Sequence, residues 1–139
     1  MQIPQLDLRR PDGGPARWSE FWQRKNLLLL VGHGECEECR RVLERWLPRL
    51  EEEEAVAVAA QPSAPEEPIE GVVYLLDPEE RMAGALGVAP GTAVAADRYF
   101  AVQARLPVHK LGAEKAAREA LDWIDLAERR CDECGVPTW

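Results

Sequence analysis

Hydrophobic positions along the chain change period several times, and each change marks an element. "IPQLDLRR" alternates weakly and "PDGG" is a turn, so residues 3–18 are expected to form a short hairpin. Ser19 can cap a short helix over "EFWQRK". "LLLLV" at 27–31 is a continuous apolar run of strand length, suited to a strand buried on both faces. From Cys36 the step becomes three and four. Cys36, Cys39, Val42, Leu43, Trp46, Leu47 and Leu50 fall on one face of a helix, which Pro48 should kink or end. The "EEEE" at 51–54 is expected to be a solvated helix end, where the dipole disfavours negative charge.

"AVAVAA" is a second strand, the proline-rich "QPSAPEEP" a loop, and "GVVYLL" a third strand. "DPEERMAGALG" predicts a helix capped by Asp77, with Pro78 at its first position and Gly87 at its end. "TAVAAD" and "FAVQAR" pair around a tight turn at "DRY". A last helix is expected over 113–130, with Ala117, Ala120, Leu121, Ile124 and Ala127 on one face, followed by a tail at 131–139. Strands alternating with helices predict an α/β fold. Its sheet should be mostly parallel, with the closing strand pair as an antiparallel edge.

Composition narrows the function. The 139 residues suit one domain, here 1–130, with 131–139 as an appended tail. Net charge −8 gives nucleic-acid binding no electrostatic support. No window approaches the ~18 apolar residues of a membrane span. "MQIPQLDLRR" has no basic segment leading into an apolar core, so no signal peptide and a cytoplasmic location are expected.

All four cysteines lie in two Cys-x-x-Cys pairs, "CEEC" at 36–39 and "CDEC" at 131–134. In a reducing compartment such pairs are more often catalytic or metal-binding than structural. A loop leaving a buried strand places Cys36 at a helix N-terminus, at the carboxyl edge of the sheet, where ligand sites form and unpaired N–H groups stabilise a thiolate. Glu35, Glu37 and Glu38 oppose that effect, so a reducing couple is expected. His33 can accept a proton from Cys36 or ligate a metal. Redox chemistry, metal binding and two inert thiols all remain open for this pair.

The order of these pieces resembles the thioredoxin-like superfamily, in particular its redoxin branch of peroxiredoxins and thiol-disulfide oxidoreductases. "LDLRRPDGGPARWSEFWQRKNLLLLV" is similar to that branch's opening hairpin, helical turn and central strand. "YLLDPEERMAGALGV" resembles its D-P-x-x-x-x-A-x-x-x-G-V stretch, and "TAVAADRYFAV" resembles its D-R-x-G strand pair. The likeness spans residues 3 to about 128. It implies a three-layer thioredoxin-like fold with a mixed central sheet and an N-terminal β-hairpin extension. It implies Cys36 as nucleophile and Cys39 as resolving thiol, a protein or small-molecule disulfide as substrate, a cellular reductant and no cofactor. A peroxiredoxin-like peroxidase is a weaker implication. The peroxidases carry a Thr three residues before the cysteine, where this chain has His33. They also carry an Arg before the strand that here begins at Thr92, where this chain has "APG". Thr92 follows Gly91, with Pro90 one position earlier than a docking proline.

"CDECG" resembles a zinc-ribbon knuckle, and a four-cysteine zinc site built from Cys36, Cys39, Cys131 and Cys134 is the alternative reading, that of a non-catalytic module holding zinc or a partner. Within one chain the topology opposes it. The last helix starts at the active-site edge, and about 17 residues carry it roughly 25 Å away. Cys131 and Cys134 would reach the first pair only across a homodimer or through a tail swapped between chains; otherwise they form a second redox couple, a shuttle to another chain, or an idle exposed pair.

Overall fold

The computed structural model describes residues 1–134, and side chains through Arg129. Five strands form one sheet in the order β3-β2-β1-β4-β5: β1 (Asn26–Val31), β2 (Ala55–Gln61), β3 (Val72–Leu76), β4 (Thr92–Ala96) and β5 (Val102–Pro107). β1, β2 and β3 are parallel. β4 runs antiparallel to β1, and β5 antiparallel to β4, so the sheet is mixed and β5 points the same way as β1. The helices are α1 (Glu37–Trp46), α2 (Arg81–Leu86), α3 (Val108–Leu111) and α4 (Ala113–Cys134). None of them is long and apolar enough to cross a membrane.

The apolar run of β1 is explained by burial on both faces. Leu28 and Leu30 pack into one core with α1 and α4, while Leu27, Leu29 and Val31 pack into a second with α2 and the N-terminal segment. Alternate Cβ atoms point to opposite faces of a strand, so a central strand between two helical layers calls for an apolar residue at every position. The predicted α1 stripe holds: Cys39, Val42, Leu43 and Trp46 are buried. Trp46 is fully buried, and its indole N–H donates to the Ala117 carbonyl at 3.2 Å, tying α1 to α4. The alanines at 113, 116, 117 and 120 let α4 lie close against that face. Pro48 falls in a 3-10 turn, Leu47–Arg49, that ends α1.

Several local expectations need correction. The N-terminal hairpin is held by one bridge, Arg9 to Pro15. The helix expected over 20–25 is a 3-10 turn at Trp18–Glu20 preceded by a left-handed Arg17, without a Ser19 cap. α2 begins at Arg81 rather than beside Pro78. Asp77 still serves its start, accepting from the Arg81 and Met82 N–H groups at 2.8 and 2.9 Å, and Gly87 closes it in a left-handed conformation. The acidic run is not wholly solvated: Glu53 is buried and paired with Arg49 at 2.9 Å. Burial pushes its carboxyl above the usual range although Arg49 pulls the other way. The last helix reaches Cys134, past the expected end at 130, and α3 was not foreseen.

Candidate functional site

The carboxyl ends of β1 and β5 and the start of β4 share one edge, with Val31 opposite Thr92 and Thr92 opposite Pro107. Three chain segments leave this edge side by side. The first, after β1, carries His33 and leads into α1. The second, before β4, carries Gly91 and Thr92. The third, after β5, is α3 with His109. Gly91 joins them, donating its N–H to the Val31 carbonyl at 2.6 Å and accepting from the Val108 N–H at 2.9 Å.

Cys36 is the N-cap of α1, in extended backbone, and its sulfur accepts the Cys39 N–H at 3.3 Å. It is half-buried, whereas Cys39, one turn further, is only 4 % exposed. Burial pushes the Cys39 thiol up, and the hydrogen bond and charge of Cys36 followed by the charge of Glu38 push it further the same way. The outer sulfur is therefore the accessible one and the inner sulfur holds its proton tightly.

Two imidazoles face the pair. His109 Nε2 lies 3.9 Å from Cys36 Sγ and 2.8 Å from His33 Nε2. Its Nδ1 lies 3.1 Å from Glu38 Oε1. A carboxylate only accepts, so that contact places a proton on His109 Nδ1, and in the neutral ring Nε2 is then the lone-pair nitrogen turned toward His33 and the sulfur. One donor atom each from His33, Cys36, Cys39 and His109 lies within 4.8 Å of all the others. A cleft of about 280 Å³ opens beside the sulfurs, lined by Gly34, Cys36, Arg40, Gln61, Ile69 and Tyr74 among others. The 62–71 loop walls it, fixed by Arg40 donating to the Glu67 carbonyl at 2.7 Å and Glu35 accepting from the Glu66 N–H at 3.2 Å.

Of the residues singled out in the sequence, Cys36, Cys39 and His33 converge here. Thr92 sits at the same edge, but it is buried and its hydroxyl donates to the Ala89 carbonyl at 2.6 Å, so it shapes the turn. Among the described residues every peptide bond is trans, including that before Pro90. Cys131 and Cys134 lie in the last turns of the α4 backbone, and their side chains, with residues 135–139, are outside the described residues. α4 runs away from the site as expected: Glu128 already bonds Asn26, the first residue of β1, at the opposite edge of the sheet. His109 was missed. It follows β5 in "PVHKLG", four helical residues too short to show a period, and it meets His33 only because β5 lies beyond β4 in the sheet.

No protein-family model matches the chain, and no curated protein matches it in sequence. Solved structures do match its shape. Thioredoxin peroxidase I of Plasmodium yoelii has 18 % identity and a TM-score of 0.72, covering 100 % of this chain and 97 % of that one. A peroxidoxin of Mycobacterium tuberculosis has 15 % identity and a TM-score of 0.71, covering 91 % of this chain and 95 % of that one. The exposed lipoprotein thioredoxin of Streptococcus pneumoniae has 17 % identity and a TM-score of 0.64, covering 84 % and 97 %. With the mixed sheet between its two helical layers, these likenesses show that the chain has the thioredoxin-like fold.

Proposed function

We propose that the protein is a thiol-disulfide oxidoreductase acting through Cys36 and Cys39. The observation that carries this reading is the asymmetry of the pair at the start of α1: a half-buried Cys36 sulfur met by an N–H and an imidazole, and a buried Cys39 behind it. The Cys36 thiolate attacks a substrate disulfide, forms a mixed disulfide and expels one substrate sulfur as thiolate. Cys39 then loses its proton and attacks the Cys36 sulfur. That closes the Cys36–Cys39 disulfide and releases the second substrate thiolate. Two electrons pass from the dithiol to the substrate, and a cellular reductant of dithiol type restores them. The cleft beside the sulfurs suits an extended protein segment or a small disulfide.

Role assignment is tested with single variants. With Cys131 and Cys134 also replaced by Ser, Cys39→Ser is expected to form a stable mixed disulfide with an aromatic disulfide reagent, at least tenfold faster than Cys36→Ser forms one. Equal rates, or the reverse order, would remove the assignment.

Peroxide turnover is expected to be at least a hundredfold below that of a peroxiredoxin. Peroxidatic chemistry needs donors aimed at the developing charge on the leaving oxygen. His33 stands where those enzymes place Thr, and the nearby Arg40 is bonded to the Glu67 carbonyl. A coupled hydrogen peroxide assay checks this, and comparable turnover would refute it.

A further inference from the structure

We propose that the reduced protein binds one Zn²⁺ ion through His33, Cys36, Cys39 and His109, in a site separate from the tail cysteines. Zn²⁺ takes thiolate and imidazole ligands in tetrahedral geometry, and two of each is a closed four-coordinate set. The chain supplies that set from three segments that the sheet edge brings together, all donor atoms lying within 4.8 Å of one another. Zn–N bonds of about 2.0–2.1 Å set two imidazole nitrogens roughly 3.3 Å apart at a tetrahedral angle, and a sulfur and a nitrogen roughly 3.5 Å apart. The observed separations are 2.8 Å between the two Nε2 atoms and 3.9 Å between His109 Nε2 and Cys36 Sγ. These two separations differ from the tetrahedral values by about half an ångström or less, and the remaining pairs lie within 4.8 Å, within reach of rotation of two exposed imidazoles.

A second observation points the same way. A zinc-ligating histidine commonly donates its other ring N–H to a carboxylate, which fixes the tautomer that ligates. Glu38 Oε1 lies 3.1 Å from His109 Nδ1, so Nε2 is the nitrogen presented to the sulfurs. Soft thiolates also suit copper(I), but the paired imidazoles and that carboxylate move the set toward zinc. The site is open to entering metal, since both histidines are exposed and only Cys39 is buried.

Four protein ligands leave no position for a reacting water, so this zinc would hold the dithiol rather than hydrolyse a substrate. Zinc and disulfide exclude one another at these sulfurs. A low-molecular-weight disulfide accepts two electrons from the two zinc-bound thiolates, the Cys36–Cys39 bond forms, two small thiolates leave and Zn²⁺ is released. The consequence for turnover, that zinc keeps the couple reduced and silent, rests on the function proposed above; the binding itself does not.

The test uses the full chain with Cys131→Ser and Cys134→Ser, reduced and metal-free, titrated with cobalt(II) and then zinc(II). One equivalent of cobalt is expected to give the intense visible bands of a tetrahedral site with thiolate charge transfer, and one equivalent of zinc to erase them. His33→Ala and His109→Ala should each weaken cobalt binding at least tenfold, and Glu38→Gln about 10- to 100-fold, with unchanged circular dichroism. Zinc-loaded protein should react with a small disulfide at least tenfold more slowly than metal-free protein. Three results would overturn the site: cobalt bound without the tetrahedral thiolate spectrum, cobalt bound equally well by the double histidine variant, or binding that needs Cys131 and Cys134. The two readings part in the same experiment. A metal-free chain that fails to exchange disulfides ends the catalytic reading and leaves the zinc result standing.

Discussion

Changing His109 to alanine is expected to slow disulfide reduction by the metal-free protein about 100-fold, the low end of what a positioned acid-base group contributes. The imidazole is held at both ends: Glu38 takes Nδ1–H at 3.1 Å, and Nε2 faces Cys36 Sγ at 3.9 Å. That is the order of groups by which a third residue orients a base toward a nucleophilic sulfur. The larger share of the loss should fall on the second step. Cys39 must give up a proton before it can attack the mixed disulfide, and burial holds that proton in place. A ring nitrogen of His109 also lies within 4.8 Å of the Cys39 sulfur. The mixed disulfide should therefore accumulate in His109→Ala, while first-step trapping in a Cys39→Ser background slows less. Glu38→Gln should fall between parent and His109→Ala, because a neutral amide still contacts the ring without fixing its tautomer as firmly. His109 is exposed, so the thermal midpoint should be unchanged. Stopped-flow exchange with an aromatic disulfide measures both steps, and a His109→Ala rate within threefold of the parent would end the acid-base role.

How far the sequence reaches into this site depends on what kind of contact made it. The β1 run and the α1 stripe are local patterns answering to burial, and both appear where the periods put them. Pro48, Asp77 and Gly87 mark element ends by backbone chemistry that needs no partner elsewhere. His33, Cys36 and Cys39 lie within seven residues, so their company was visible. His109 was not, because it is 76 residues from His33 and joins it through strand order alone. Glu53 is the same case in miniature. A run of four glutamates reads as solvated, yet the turn after α1 folds one of them under Arg49. The resemblance to redoxins anticipated the fold but not the paired histidines, since the features that carry it lie outside "PVHKLG".

Gly91→Ala is expected to destabilise the fold by about 1–2 kcal/mol and also to weaken cobalt binding at the reduced site at least tenfold. Two separate causes act. Gly91 has a φ of +89°, and a β-carbon is strained there. That β-carbon would also stand 2.9 Å from His109 Cδ2, a contact β-carbons essentially never make, and 3.0 Å from His109 Nε2 and 3.1 Å from His33 Cδ2, both tighter than most. The backbone has little room to retreat, because its N–H is bonded to Val31 and its carbonyl to Val108. The imidazoles must give instead, His109 most of all, and the shift falls on the two rings that line the sulfurs. Gly87→Ala separates the two causes. Gly87 has a φ of +66° but nothing within 4 Å of an added β-carbon. It should lose a similar amount of stability, roughly 3–8 °C in thermal midpoint for a domain of this size, with cobalt affinity and disulfide exchange intact. If Gly91→Ala costs stability but binds cobalt as the parent does, the two histidines do not depend on the glycine beneath them. If Gly87→Ala loses cobalt as well, the effect comes from the fold as a whole and not from the close packing of Gly91 against the rings.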